Sequence, residues 1–138
     1  MSDKAGGVYI DASGLVKLII QEPESDALRR YLADGAPLYS SRIAAVEVRR
    51  VAARQDEVQA GDQVEAVLAS VRFIELDEPM TREAAIAQPP ALRTLDAIHL
   101  ASALAIAAGL RAMVVYDERL ADAARRAGLT VVAPAASG

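Results

Sequence analysis

Residues 113–133 read MVVYDERLADAARRAGLTVVA, and this stretch decides the fold. MVVY (113–116) is a short, wholly apolar run of β-type residues. ERLADAARRA has its apolar positions at helical spacing, Gly128 closes the helix, and TVVA (130–133) is β-type again. A strand, a helix and a strand in that order, with both strands apolar on both faces, predict a right-handed crossover in a parallel sheet covered on two sides.

The rest of the chain repeats the alternation. VYI (8–10) is a first strand ended by Asp11, followed by helical material over 13–20 and 24–33, with Gly35 as a stop. PLYS (37–40) is a second strand, and Ser41 is placed to cap a helix running to about Gln55. A helix over 59–70 leads to a third strand, RFIEL (72–76), and a short helix over 79–87 is broken by Pro89-Pro90. A buried-type helix over 95–108 follows, with Gly109 as its stop. The expected architecture is a three-layer α/β/α domain over residues 1–138, with residues 1–6 and 134–138 as flexible ends. In such sheets the working crevice lies beyond the carboxyl ends of the strands, at the topological switch point.

Bulk properties narrow the chemistry. At 53% hydrophobic and 25% charged residues the chain is of globular type, and its apolar runs stop well short of the roughly 18 residues a membrane span needs. The start, MSDKAGGVYID, lacks a signal-peptide pattern, which together with the missing span points to the cytoplasm. No cysteine is present, which excludes disulfides, thiolate metal sites and thiol nucleophiles. A net charge of −4 argues against gripping nucleic acid by charge alone. It leaves open a protein that recruits a divalent cation first, because a bound ion reverses the local sign.

Four carboxylates share one address. Asp11 follows the first strand, Asp117 follows the fourth, and Asp96 falls in the first turn of a helix that starts on the same rim. Glu47 lies on the helix after the second strand, on a stripe with Ile43 and Val51, so it projects from a largely apolar face. Each has an ordinary explanation. Asp11 and Asp117 could be turn or cap residues, Asp96 could complement the helix dipole, and Glu47 could pair with Arg50. The ordinary explanations leave the coincidence of address unexplained. Carboxylates brought together repel, and a hard divalent cation resolves the conflict. An all-oxygen, cysteine-free set favours Mg²⁺ or Mn²⁺ over zinc, and the chemistry best matched is metal-assisted phosphodiester cleavage.

YIDAS, the Glu47 helix, LRTLDAIHLA and VVYDERLADAARRAG–VVAP, in this order over nearly the whole chain, resemble a PIN-domain ribonuclease, specifically a VapC-type toxin of a VapBC toxin–antitoxin system. The resemblance implies a parallel five-stranded sheet in the order 3-2-1-4-5. It implies that Asp11, Glu47, Asp96 and Asp117 are a catalytic, metal-binding quartet, with Ser13 of the D-x-S motif near a metal-bound water or phosphate. It further implies a Mg²⁺- or Mn²⁺-dependent endoribonuclease, an RNA substrate, a homodimer and a small cognate antitoxin. One departure is Val115, where relatives frequently carry Thr or Ser two residues before the last acid.

His99, the single histidine, reads as a hydrogen-bonded structural residue rather than a general base. Arg42, Arg49, Arg50 and Arg54 read as a solvated face or as guides for RNA phosphates, with Arg93 better placed for that role. Asp122 reads as a solvated helix residue, and Tyr116 is the one aromatic with a claim on the site. A haloacid-dehalogenase-type phosphatase needs an acid two residues after the first, where Ser13 stands. A phospho-receiver domain with Asp77 as acceptor needs a late Lys, and none follows Lys17. The alternative with more weight is a non-catalytic PIN-fold module that binds RNA or a protein partner.

Overall fold

In the computed structural model, which describes residues 6–55 and 58–136, five strands form one fully parallel sheet. The chain runs β1 (Gly7–Ile10), α1 (Ala12–Lys17), α2 (Ser25–Tyr31), β2 (Leu38–Ser41), α3 (Ile43–Ala53) and α4 (Val58–Ala69). It continues through β3 (Val71–Ile74), α5 (Glu78–Ala85), α6 (Thr94–Ala105), β4 (Leu110–Val114), α7 (Glu118–Arg126) and β5 (Val131–Val132). The strand order is β3-β2-β1-β4-β5, as the sequence led us to expect. The order reverses between β1 and β4, which pair from Gly7–Leu110 to Ile10–Val114, so the switch point lies at the ends of these two central strands.

Alternation along the strands sorts side chains into two cores. Val8, Ile10 and Val114 face α1 to α4 and pack with Leu15, Leu28, Ala44, Val48, Val64 and Leu68. Tyr9, Met113 and Val115 face the opposite way and pack with Leu100, Ala103, Leu120 and Ala124 of α6 and α7. The departure from the family pattern, Val115, is thus an almost fully buried core residue. No helix among the described residues is long and apolar enough to cross a membrane.

The helix after β4 ends as its sequence indicates. Gly128 adopts φ +94, its N–H donates to Arg125 O, and Leu129 N–H donates to Ala124 O, a Schellman closure. Gly35 likewise sits at φ +79 beyond α2. Two local expectations are corrected. α6 ends at Ala105 rather than near Ala108, and residues 107–109 form a tight 3₁₀ turn that delivers the chain directly into β4. Gly109 is therefore not a left-handed stop. Ser41 is the last residue of β2 and Arg42 occupies the cap position of α3, although the Ser41 hydroxyl still accepts from Ile43 N–H at 3.2 Å. Of the ends expected to be flexible, residues 1–5 and 137–138 lie outside the described residues. Pro134 is held by its carbonyl, which accepts from Tyr116 Oη at 2.8 Å.

Gly14 is buried in α1, and a Cβ there would lie 2.6 Å from Ile10 Cδ1, itself fully buried. Alanine normally favours a helix by about 1 kcal/mol over glycine, but overpacking a filled core costs about 1–3 kcal/mol. Gly14→Ala is expected to destabilise, lowering the melting temperature by roughly 4 °C per kcal/mol lost; thermal unfolding by circular dichroism checks the sign.

Candidate active site

Asp11 ends β1 in extended geometry and caps α1. Its Oδ1 accepts from Gly14 N–H at 3.1 Å and from the Ser13 hydroxyl at 2.9 Å. Asp117 repeats the device after β4, with Oδ2 accepting from Leu120 N–H at 2.9 Å at the start of α7. The capping explanation is therefore correct for both residues, but it uses one carboxylate oxygen of each. Asp77 supplies an internal comparison. It caps α5 after β3, accepting from Met80 N–H at 3.0 Å, yet β3 is an edge strand and Asp77 stands exposed, away from the switch point. Local chemistry makes a cap at all three strand ends; only strand order brings two of them together.

Asp96 joins them from the first turn of α6. Burial pushes its carboxyl above the usual aspartate range, and the charges of Asp117 and Asp11 push it further, against a pull from His99 and Arg93. Asp11 is also raised, first by burial (it is 6% exposed) and to a lesser extent by Glu47, against His99 and its two hydrogen bonds. Glu47 reaches the cluster from α3 with its side chain 23% exposed, and it pairs with His99 Nε2 at 2.9 Å rather than with Arg50. Ser13 and Arg93 stand exposed beside Asp11 and Asp96, respectively.

Among the described residues no three Asp, Glu or His side chains converge tightly enough to cage an ion by themselves. The donor set is all carboxylate oxygen, partly open to solvent and self-repelling. That suits a hard divalent ion held by few carboxylates and several waters, as Mg²⁺ commonly is, and does not suit a closed structural site.

Two features escaped the sequence reading. His99, 2% exposed, is hydrogen-bonded as expected, but its partners are Tyr9 Oη at 2.7 Å and Glu47, which ties it to the cluster. A Tyr in an otherwise aliphatic first strand was the available signal, and it names no partner 90 residues away. The arginine face is also partly committed. Arg42 forms a forked pair with Glu75 and Arg49 with Glu65. Asp122 is exposed and pairs with Arg126.

The PIN domain model matches residues 8–126. Ribonuclease VapC46 of Mycobacterium tuberculosis is 42% identical over 127 residues, covering 92% of this chain and 97% of that protein. The crystal structure of the M. tuberculosis toxin VapC20, which cleaves the sarcin-ricin loop, has a TM-score of 0.69 at 17% identity and covers 93% of this chain and 100% of that one. VapBC2 from Rickettsia felis, bound to a DNA fragment from its promoter, has a TM-score of 0.68 at 14% identity over 92% of this chain and 98% of that one. The two structures share the fold; membership rests on the domain match and the close relative. The chain belongs to the PIN-domain family, whose ribonucleases generally depend on a divalent metal. Within that family it is a ribonuclease toxin of the VapC type.

The raised carboxyls set a stability prediction. A folded-state pKa above the unfolded one means that ionisation opposes folding, so the penalty is absent below the ordinary aspartate range near about 4 and grows as pH rises through the folded value. Asp96→Asn is therefore expected to melt higher than the parent at pH 7 in EDTA, with the advantage shrinking as pH falls toward about 4. A lower melting temperature for the variant at pH 7 would contradict the repulsion.

Proposed function

We propose that Asp11, Glu47, Asp96 and Asp117 form the catalytic, metal-binding centre of this endoribonuclease and that the ion is Mg²⁺ or Mn²⁺. The observation that carries the reading is Asp96, raised by its burial and by the charges of Asp117 and Asp11 at the ends of adjoining strands. A bound divalent ion supplies a more acidic water and stabilises charge on phosphate oxygens.

The chain's own groups do the arranging. Gly14 N–H and the Ser13 hydroxyl hold Asp11 by one oxygen, leaving Oδ2 for the centre, and Leu120 N–H does the same for Asp117, leaving Oδ1. Arg93, exposed at the head of α6, is placed to meet an RNA phosphate and offset the acidic field. Ser13 also reaches substrate from the exposed side of Asp11.

The unit spans residues 1–138 as one domain and works in the cytoplasm as a homodimer restrained by a cognate antitoxin. Ile86, at 69% exposure just beyond α5, and Leu104 of α6 line one apolar groove of the kind that protein partners cover. The VapBC2 assembly of Rickettsia felis supports a partner of this kind.

The test is cleavage of total RNA with Mg²⁺ or Mn²⁺, read beside thermal unfolding. Asp96→Asn and Asp117→Asn should cut at least about 100-fold more slowly, the scale expected when an ion's ligand or its close support is lost. Asp77→Asn, which alters the same kind of cap away from the cluster, should cut like the parent. The metal should stabilise the parent and not Asp96→Asn. An Asp96→Asn variant that cuts like the parent sinks the assignment; a parent that holds RNA without cutting it points instead to a binding-only module.

A further inference from the structure

Tyr9, His99 and Glu47 come from β1, α6 and α3, and they form one buried line of polar contacts. Tyr9 has no exposure and His99 2%, while Glu47 at the open end is 23% exposed on its side chain. Tyr9 Oη lies 2.7 Å from His99 Nδ1, and His99 Nε2 lies 2.9 Å from Glu47 Oε1. The Tyr9 and His99 rings meet edge to face, with centroids 5.9 Å apart and planes at 75°.

The donor inventory orders the protons. A carboxylate can only accept, so His99 Nε2 carries the hydrogen that faces Glu47. In the neutral ring Nδ1 is then bare and accepts from the Tyr9 hydroxyl. The neighbouring hydroxyls of Ser40 and Ser102 donate to Ile10 O at 2.6 Å and Ile98 O at 2.7 Å and also lie within hydrogen-bond reach of the Tyr9 hydroxyl. Among the described residues no buried side-chain polar atom lacks a partner, so the line is fully satisfied. It fixes Oε1 of Glu47 and leaves Oε2 for the centre. A Glu on a helix has three rotatable side-chain bonds; one fixed oxygen removes most of that freedom.

We propose that His99, braced by Tyr9, is a positioning residue that aims the Glu47 carboxylate across the carboxyl ends of the central strands toward Asp11 and Asp96. The inference rests on Glu47 belonging to the cleavage centre. His99 joins the buried Tyr9 to Glu47, which, like Asp96, lacks the backbone cap that restrains Asp11 and Asp117.

The test uses the full, untagged chain and a fluorogenic RNA oligonucleotide that the parent cuts in Mn²⁺. Tyr9→Phe and His99→Leu should lower kcat about 10- to 100-fold, the usual effect of losing a group that orients a metal ligand, with KM little changed. His99→Gln, which keeps a donor for Glu47, should recover most of the loss. In a Glu47→Ala background none of the three should reduce the residual rate further. His99 is the chain's only histidine, so a metal-free long-range ¹H–¹⁵N spectrum reports one imidazole. Recorded at a pH where the imidazole is neutral, it should show the Nε2–H tautomer, with Nε2 moved by Glu47→Ala and Nδ1 by Tyr9→Phe. Imidazole signals that ignore both substitutions overturn the line of contacts. Equal losses in both backgrounds, with Glu47→Ala nearly inactive, overturn the positioning role alone. Parental cleavage by Glu47→Ala overturns the place of Glu47 in the centre, and the positioning role with it.

Discussion

Repulsion among carboxylates at the ends of β1 and β4 is the constraint around which the rest is arranged. Asp11 is buried, and the half-buried Asp96 carboxyl is pushed up first by its burial and then by the charges of Asp117 and Asp11. A fold selected for stability alone would separate such groups or give each a cation. Elsewhere this chain does so: Glu75, Glu65 and Glu78 each have an arginine. At the switch point the acids are left mainly to one another. Strain of that kind persists where function requires it and the surrounding scaffold is firm enough to hold it.

That scaffold is the two-sided core. Tyr9, Met113 and Val115 lock β1 and β4 against α6 and α7, while Val8, Ile10 and Val114 lock them against α1 to α4. Glu47 and Asp96 are borne on helices, and Asp11 and Asp117 stand at the junctions of a strand with a helix. Asp11 and Asp117 double as helix caps, so the bonds that start α1 and α7 also orient the carboxylates. Glu47 has no such backbone anchor, and the imidazole of His99 takes that part.

Much of the fold was legible because its signals are local. The strand–helix–strand pattern of 113–133, Gly35 and Gly128 as stops, and the placement of acids after apolar strands all depend on near neighbours. Boundaries were less legible. Gly109 looked like a helix stop, but the chain tightens into a 3₁₀ turn because β4 begins at the next residue and its register with β1 is set across the sheet. Ser41 looked like a cap, but pairing with Ile74 of β3 keeps it in the strand.

By itself the sequence determined the layer architecture, the all-oxygen character of the candidate centre and the acids' position at strand ends, since periodicity and residue type carry that information. Only the tertiary structure supplied the geometric reason that the acids singled out in the sequence stand together. Asp77 is as good a cap as Asp11 or Asp117, and nothing local tells them apart. Strand order does: β3 lies at the edge, and β1 and β4 lie side by side where the order reverses. The partnership of Tyr9, His99 and Glu47 is likewise invisible along the chain, because a hydrogen bond depends on distances in space, and these three are separated by 38 to 90 positions.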